Sequence, residues 1–198
     1  MRDEMKKQKL YDVGYWRQHS KAFVEDINAF MQTYRVLCVS TNKDSEPMWE
    51  GYAEKQKGIV LRIVPNLEKD SKFQKFAPVQ YYEERPSLYD NTIDFATESL
   101  FGDQEAAKQA KLDKIIYSKT LKWEHESEYR LAIPLAKGED DWTTLPYHPE
   151  EITELYLGMA MTPEDKAEIV DKAKALNPSM AVYQTRRVGK DGFAFDVV

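Results

Sequence analysis

Apolar residues recur at both helical and strand-like spacings along this chain, which predicts a mixture of helices and strands. Residues 20–33 predict a helix because Phe23, Ile27 and Phe30 fall on one apolar stripe, with Ser20 as its N-cap. Further helices are predicted after Ser45, within residues 90–116 and from Pro163 onward. The last of these has Thr162 as its N-cap, proline at its first position and acidic residues in its first turn.

Short runs rich in β-branched and aromatic residues predict strands. These runs cover residues 35–41, 59–64, 78–82, 131–135, 152–157, 180–188 and 193–198. Several of them follow one another without a helix long enough to cross over a sheet. The order therefore predicts a single α+β domain with a central mixed or antiparallel sheet and flanking helices. Within it, residues 1–33 form an N-terminal helical lead-in and residues 34–198 the core domain.

Composition narrows the class of protein. The chain has 198 residues, of which 42% are hydrophobic, and a mean hydropathy of -0.66, which suits a core with a polar surface. No apolar run reaches the roughly 20 residues that span a bilayer, and the polar, basic start differs from a secretory signal. A single cysteine, Cys38, excludes a disulfide scaffold and predicts a cytoplasmic protein.

Charge and motif spacing exclude several function classes. A net charge of -6 argues against a non-specific nucleic-acid coat, and Arg186, Arg187 and Lys190 are more typical of a solvated face. The three histidines lie far apart and there is no second cysteine, so we expect no metal site. Neither a phosphate-binding loop nor a dinucleotide fingerprint occurs.

Cys38 and Ser40 occupy the apolar run over residues 35–41. We expect Cys38 to be a buried packing residue with a raised pKa rather than a nucleophile. Ser40 lies at the end of the same run, where the chain meets solvent, but it lacks the G-x-S-x-G context of a serine hydrolase. It is a candidate ligand contact.

The most informative stretch is residues 123–131, in which Glu126, Glu128 and Arg130 alternate just before a strand. Alternate residues of a strand share a face, so two carboxylates and a guanidinium are expected together. Such a cluster can bind a polar ligand or carry out acid–base chemistry, and it can equally be a structural ion-pair ladder.

Trp49 and Tyr52 form a second constellation, three residues apart on the predicted helix after Ser45. Both side chains can pack over the sheet. Alternatively they wall a pocket, with the tyrosine hydroxyl available to a ligand.

These motifs together resemble a large bacterial family of unknown function, some of whose relatives resemble abortive-infection phage-resistance proteins. The likeness covers residues 34–158 and consists of a Cys-x-Ser strand, a Met-Trp-x-x-Tyr-Ala helix, a glycine-initiated strand, a Lys-x-x-x-Trp-x-x-Glu-x-Glu-Tyr-Arg segment and a strand that ends in Leu-Gly. The matching positions are Cys38, Ser40, Met48, Trp49, Tyr52, Ala53, Gly58, Lys119, Trp123, Glu126, Glu128 and Arg130. The Tyr-x-Tyr-like first strand and the Asn-Asp-Pro-Phe-Glu-like segment of typical members do not occur in residues 1–33, so we expect a shortened member or a piece of a longer product.

A more remote likeness is to ADP-ribosyltransferases, in which a late Glu-x-Glu orients the nicotinamide ribose. Here Glu126 and Glu128 would supply that element, and Tyr52 or Trp49 would stack on nicotinamide. The resemblances imply a phage-defence or toxin-like effector that acts on NAD or another nucleotide, with Glu128 and Glu126 catalytic and with Ser40, Trp49, Tyr52 and Arg130 contacting the ligand. The alternative is a non-catalytic binding or regulatory module of the same fold, with a small-molecule or protein partner.

Overall fold

The structure is a computed structural model that describes residues 13–89, 94–95, 97–98, 102–135, 143–189 and 192–198. Backbone contacts divide the chain into two compact units. Unit 1 comprises Met1–Val36, Pro86–Ile116 and Ala132–Thr143; unit 2 comprises Leu37–Arg85, Tyr117–Leu131 and Thr144–Val198. The sequence-based boundary after residue 33 is a different division and stays a prediction.

The described part of the chain contains four α-helices and nine short strands. The α-helices are α1 (Val13–Gln32), α2 (Glu46–Tyr52), α3 (Gln104–Ile116) and α4 (Pro163–Leu176). The strands are β1 (Tyr34–Ser40), β2 (Ile59–Ile63), β3 (Ala77–Pro78), β4 (Gln80–Tyr82), β5 (Ser118–Thr120), β6 (Glu128–Pro134), β7 (Ile152–Leu157), β8 (Ala181–Val188) and β9 (Gly192–Val197). Within the described part of the chain, no helix combines the length and apolar character needed to cross a membrane.

The described strands form a three-stranded sheet in the order β1-β6-β3, a four-stranded sheet in the order β2-β7-β8-β9, and the pair β4-β5. In the four-stranded sheet β2 and β9 run antiparallel to their neighbours, whereas β7 and β8 are parallel. Helix α4 connects these two parallel strands, as a parallel pair requires. The predicted α+β fold with mixed and antiparallel sheets is confirmed.

Strand β7 lies at the centre of unit 2 because both of its faces are covered. Leu155 and Leu157 pack on one face against α4, where Ala173 completes the contact. Tyr156 points to the other face and packs against Trp49 of α2. The alternation of strand side chains thus places the four-stranded sheet between two helices.

Most predicted elements are present, with differences at their ends. Thr162 caps α4 by accepting a hydrogen bond from the Asp165 backbone N–H, as the sequence indicates. Helix α1, however, begins at Val13, so Ser20 lies inside it, where its hydroxyl donates to the carbonyl of Arg17 and caps nothing. The predicted loop over residues 137–142 and much of the predicted helical segment over residues 90–101 lie outside the described residues.

Unit 1 contains an aromatic cluster built on α1. The ring centroids of Phe23, Tyr89 and Phe95 lie between 5.0 and 5.7 Å apart. The hydroxyl of Tyr89 donates to Glu98, and the buried Lys111 on α3 donates to the same carboxylate at 2.8 Å. A buried cation is thereby neutralised where aromatic packing excludes water.

Gly158 allows an unusual turn to pack against the end of β7. Glu54, Lys55 and Gln56 follow α2 with φ angles of 47°, 55° and 66°, a left-handed turn formed without glycine. A Cβ atom on Gly158 would lie 2.1 Å from the Gln56 carbonyl oxygen, which accepts a hydrogen bond from Ala160. The backbone of the turn therefore occupies the space that any larger residue at position 158 would need.

We expect Gly158→Ala to lower the free energy of unfolding by about 3 kcal/mol, because backbone must move to admit the methyl group. Gly51→Ala on α2 is the matched control: a Cβ there meets no atom within 4 Å, and alanine should stabilise the helix by about 0.5–1 kcal/mol. Urea denaturation followed by circular dichroism measures both. A Gly158→Ala variant as stable as wild type would contradict this packing.

Candidate functional site

The two glutamates of the predicted cluster reach the same place through different backbone elements. Glu128 and Arg130 are alternate residues of β6 and share a face, as the sequence predicts. Glu126 instead ends the 3-10 helix Leu121–Glu126, and Ser127, with φ at 44°, turns the chain into β6. The Thr41 backbone N–H holds this turn by donating to the Ser127 carbonyl at 3.1 Å.

The carboxylates form one buried ion network with two cations. Glu126 and Glu128 are only 3% and 6% exposed. Lys119 on β5 donates to both carboxylates, at 3.0 Å in the case of Glu128. Arg130 binds Glu128 through two bonds, Nε to Oε1 at 2.8 Å and Nη2 to Oε2 at 2.9 Å. Two negative and two positive groups thus balance in a region that excludes water.

The network keeps Glu128 and Lys119 charged. Burial by itself would raise the pKa of Glu128, but hydrogen bonds from Arg130, Cys38 and Lys119 lower it to about 2. Burial would lower the pKa of Lys119, yet its bonds to Glu126 and Glu128 raise it overall. Neither group is suited to exchange protons near neutral pH.

Cys38 is exposed, so the prediction that it is a buried packing residue is wrong. The apolar run around it does form β1, but among the described residues this strand lies at an edge of its sheet, with β6 as its one neighbouring strand. The thiol itself is partly withdrawn from solvent and donates to Glu128. This desolvation and the adjacent carboxylate raise the pKa of Cys38 to about 11.

Trp49 and Tyr52 have different roles although they share a helix. Trp49 is 1% exposed, and its indole N–H donates to the Lys43 carbonyl at 2.8 Å. Tyr52 is 69% exposed, and its hydroxyl donates to Oε1 of Glu126 at 3.0 Å. Trp49 thus packs over the sheet, and the ring of Tyr52 is exposed.

A cleft of about 1160 Å³ lies within unit 2, beside the ion network. Ser40, Trp49 and Tyr52 line it, which brings together three of the six candidate site residues. The other three, Glu126, Glu128 and Arg130, are not among the residues that line this cleft. Cys38 and Tyr52 connect the two regions, since each lines the cleft and bonds to one of the buried carboxylates.

One wall of the cleft comes from the segment between β2 and β3, which Glu151 holds in place. The carboxylate of Glu151 is 1% exposed and accepts from the backbone N–H groups of Asn66 at 2.8 Å and His148 at 3.0 Å. Leu67 and Phe76 of this segment line the cleft. A buried, fully bonded carboxylate gives the loop a fixed conformation.

Two further residues take part in the network although their sequence positions predicted no site role: Lys119 and Tyr81. Lys119 bridges both glutamates, and the hydroxyl of Tyr81 accepts from the Glu128 backbone N–H at 2.9 Å. The only signal for Lys119 was its place in the resemblance motif, because no single helix or strand carries Lys119 together with both glutamates.

Two of the three cations that suggested a nucleic-acid surface are paired. Arg186 donates to Asp196 at 2.6 Å, and Arg187 binds Glu46. Lys190 lies outside the described residues. Among the described residues, no group of three or more His, Cys, Asp or Glu side chains is arranged to hold a metal ion.

Comparison with known proteins gives a family likeness over part of the chain. Residues 48–131 match the model of a family described as a protein of unknown function, DUF2971. The match spans less than half of the chain and contains Lys119, Glu126, Glu128 and Arg130. No curated protein and no solved structure is significantly similar to the chain. The chain is thus similar to a domain family of unknown function across residues 48–131.

We expect Lys119→Met to lower the free energy of unfolding by about 3 kcal/mol, because it leaves two buried carboxylates with only Arg130 to balance them. Lys122→Met is the matched control. Both ammonium groups lie 5.2 Å from the Trp123 ring centroid, but Lys122 is exposed and its loss should cost about 0.5 kcal/mol. Equal denaturation midpoints for the two variants would disprove the bridging role of Lys119.

We also expect Cys38 to be alkylated slowly at pH 8 and progressively faster up to about pH 11, because its raised pKa keeps the thiolate scarce. Glu128→Gln removes the carboxylate that opposes the thiolate, so alkylation at pH 8 should accelerate about tenfold for each unit by which the pKa falls. Mass spectrometry after iodoacetamide treatment measures the rate.

Glu124→Gln is the control for this measurement, since Glu124 is an exposed member of the same 3-10 helix. A circular dichroism spectrum identical to wild type establishes that each variant is folded. If folded Glu128→Gln and Glu124→Gln react at the wild-type rate, Glu128 does not influence Cys38.

Proposed function

We propose that this protein is a non-catalytic binding or regulatory module, in which the cleft of unit 2 receives the ligand and the buried ion network holds the cleft walls in place. The alternation of Glu126, Glu128 and Arg130 is compatible with catalysis or with structure. Their surroundings favour structure.

The observation that carries this proposal is that every carboxylate oxygen of the network already has a partner. In Glu128, Oε1 accepts from Arg130 and Oε2 from both Arg130 and Lys119. In Glu126, Oε1 accepts from Tyr52 and Oε2 from Lys119. A general base needs access to its substrate and a pKa near the working pH, whereas Glu128 is only 6% exposed and has a pKa of about 2.

Pairing with Lys119 and Arg130 also weakens any electrostatic role of Glu128 in catalysis. A carboxylate stabilises an oxocarbenium-like transition state through its uncompensated negative charge. Lys119 and Arg130 cancel that charge, and separating Glu128 from its buried partners would cost several kcal/mol. In a structural role, the same contacts join β5, β6, α2 and β1 around one side of the cleft.

A second candidate is the effector that acts on NAD or another nucleotide, in the phage-defence or toxin-like setting implied by the resemblances. The observation in its favour is Tyr52. Its exposed ring can stack on a nicotinamide or a base, and its hydroxyl links the cleft to Glu126. In this candidate Glu128 or Glu126 acts on the ligand after Tyr52 moves.

Incubation of the purified protein with NAD, with free nicotinamide followed by chromatography, separates the two candidates. We expect no release from the folded wild type. Tyr52→Phe, which keeps the ring and removes the bond to Glu126, and Glu128→Gln serve as matched variants. Release by wild type that is lost in Glu128→Gln would make the protein an NAD-consuming enzyme and would overturn the module proposal.

A binding module should still respond to its ligand without turnover. NAD, ADP and AMP are therefore added separately while Cys38 alkylation at pH 9 is followed, since Cys38 lines the cleft. Protection of Cys38 by a nucleotide that remains intact supports a binding module with a small-molecule ligand.

A further inference from the structure

Two strand edges border the cleft of unit 2. The lining includes four successive residues, Cys38–Thr41, that begin in β1 and all five residues of β2, Ile59–Ile63. The face of a strand presents only every second side chain. Successive lining residues therefore indicate that the cleft runs along the strand edge, where backbone N–H and C=O groups are found.

The outward groups of β2 follow from its pairing with β7. Gly158 donates to the Gly58 carbonyl at 3.0 Å, and Val64 donates to the Glu151 carbonyl at 2.8 Å. In an antiparallel pair, alternate residues exchange bonds with the neighbouring strand and the residues between them face away. Ile59, Leu61 and Ile63 therefore direct their N–H and C=O groups away from β7.

The same argument applies to β1. Thr41 donates to the Ser127 carbonyl at 3.1 Å, and Leu135 donates to the Thr33 carbonyl at 2.8 Å, so the odd-numbered residues bond to β6. The backbone N–H and C=O groups of Cys38 and Ser40 therefore point away from β6. Among the described residues, β1 and β2 are each at the end of their sheet, with no strand on the outer side.

We propose that the ligand of this cleft is an extended peptide segment of another protein, which pairs with the outer edge of β2 as an added strand. This inference rests on the binding function proposed above and specifies its partner. The outward groups of β2 recur every second residue, roughly 6.6–6.8 Å apart. An extended polypeptide is the ligand whose own donors and acceptors repeat at that spacing.

The side chains of the cleft indicate which peptide fits. Leu61 is 45% exposed on β2, and Leu67 is 82% exposed on the facing wall. Apolar residues at alternate positions of the peptide would cover them. Two cations, Lys43 and Arg62, also line the cleft, but they pair with Asp44 and Glu154 at 2.8 and 2.6 Å, so the apolar side chains select the peptide.

A second copy of this chain fits the edge less well. The β2 edge lies inside a cleft, between walls formed by α2 and the segment from Pro65 to Phe76. A single strand can enter there, whereas the β2 of another folded copy is itself enclosed by the same walls.

The test begins with a random twelve-residue peptide library displayed on phage and selected on the full chain, with the selected peptide then made synthetically. Residue-resolved amide hydrogen exchange by NMR is measured with and without it. We expect at least tenfold slower exchange at Ile59, Leu61 and Ile63. Val60 and Arg62, which already bond to β7, should change little and serve as internal controls.

Variants on both sides of the contact sharpen the test. Leu61→Pro removes the outward N–H of an edge strand and should weaken peptide binding at least tenfold, whereas Leu61→Ala keeps that N–H and should weaken it less. If Leu61→Pro fails to fold, N-methylation of the peptide answers the same question. Methyl groups on the alternate peptide amides that face β2 should abolish binding. Methyl groups on the amides that face away from β2 should leave binding intact.

Each remaining outcome contradicts a defined part of the proposal. A library that yields no binder, or a bound peptide that leaves these amides unprotected, overturns the added-strand model. Protection of the same amides by self-association, detected by analytical ultracentrifugation, replaces the peptide with a second copy. An intact nucleotide that shields Cys38 while no peptide binds leaves the module proposal standing, whereas nicotinamide release removes the module proposal itself.

Discussion

The bridge that Lys119 makes between two buried carboxylates is the interaction on which the candidate site depends. Glu126 and Glu128 lie two residues apart, and burying both would be prohibitively costly without a shared cation. The bridge, completed by Arg130, fixes the end of the 3-10 helix relative to β5 and β6. Tyr52 extends the constraint to α2. A single neutral cluster thus sets the positions of several elements that surround the cleft.

The charged side chains of the ion network and the cleft proposed to bind a partner are different parts of unit 2. The carboxylates of Glu126 and Glu128 are buried and paired with Lys119 and Arg130. In the proposed binding module they contribute rigidity rather than an open reactive centre. The surface that remains for a partner consists of strand edges, apolar side chains and the exposed ring of Tyr52. Backbone groups on an edge are unselective by themselves, and specificity would come from the side chains that flank them. A scaffold held by buried ion pairs suits that role, because the edge must stay in place before the partner arrives.

Much of the fold could be predicted because local signals and tertiary packing agree. Strand β7 has the predicted bounds, α4 begins at the predicted cap, and β8 and β9 form the predicted closing pair. The weaker predictions concerned exposure. An apolar run indicates a strand, but it does not tell whether a neighbouring strand covers each edge, and so Cys38 was placed in the core although β1 ends its sheet. Likewise, spacing placed Trp49 and Tyr52 on one helix face without indicating that only Trp49 is covered.

The sequence by itself determined the mixed α+β class and the shared face of Glu128 and Arg130, because these depend on periodicities of a few residues. Tertiary structure alone decided what that face does. Lys119 reaches the glutamates from a separate strand, the left-handed conformation of Ser127 brings Glu126 alongside Glu128, and the cleft forms where two sheets end. Hydrogen-bond partners, burial and open strand edges arise from contacts between distant segments, and no local pattern encodes them.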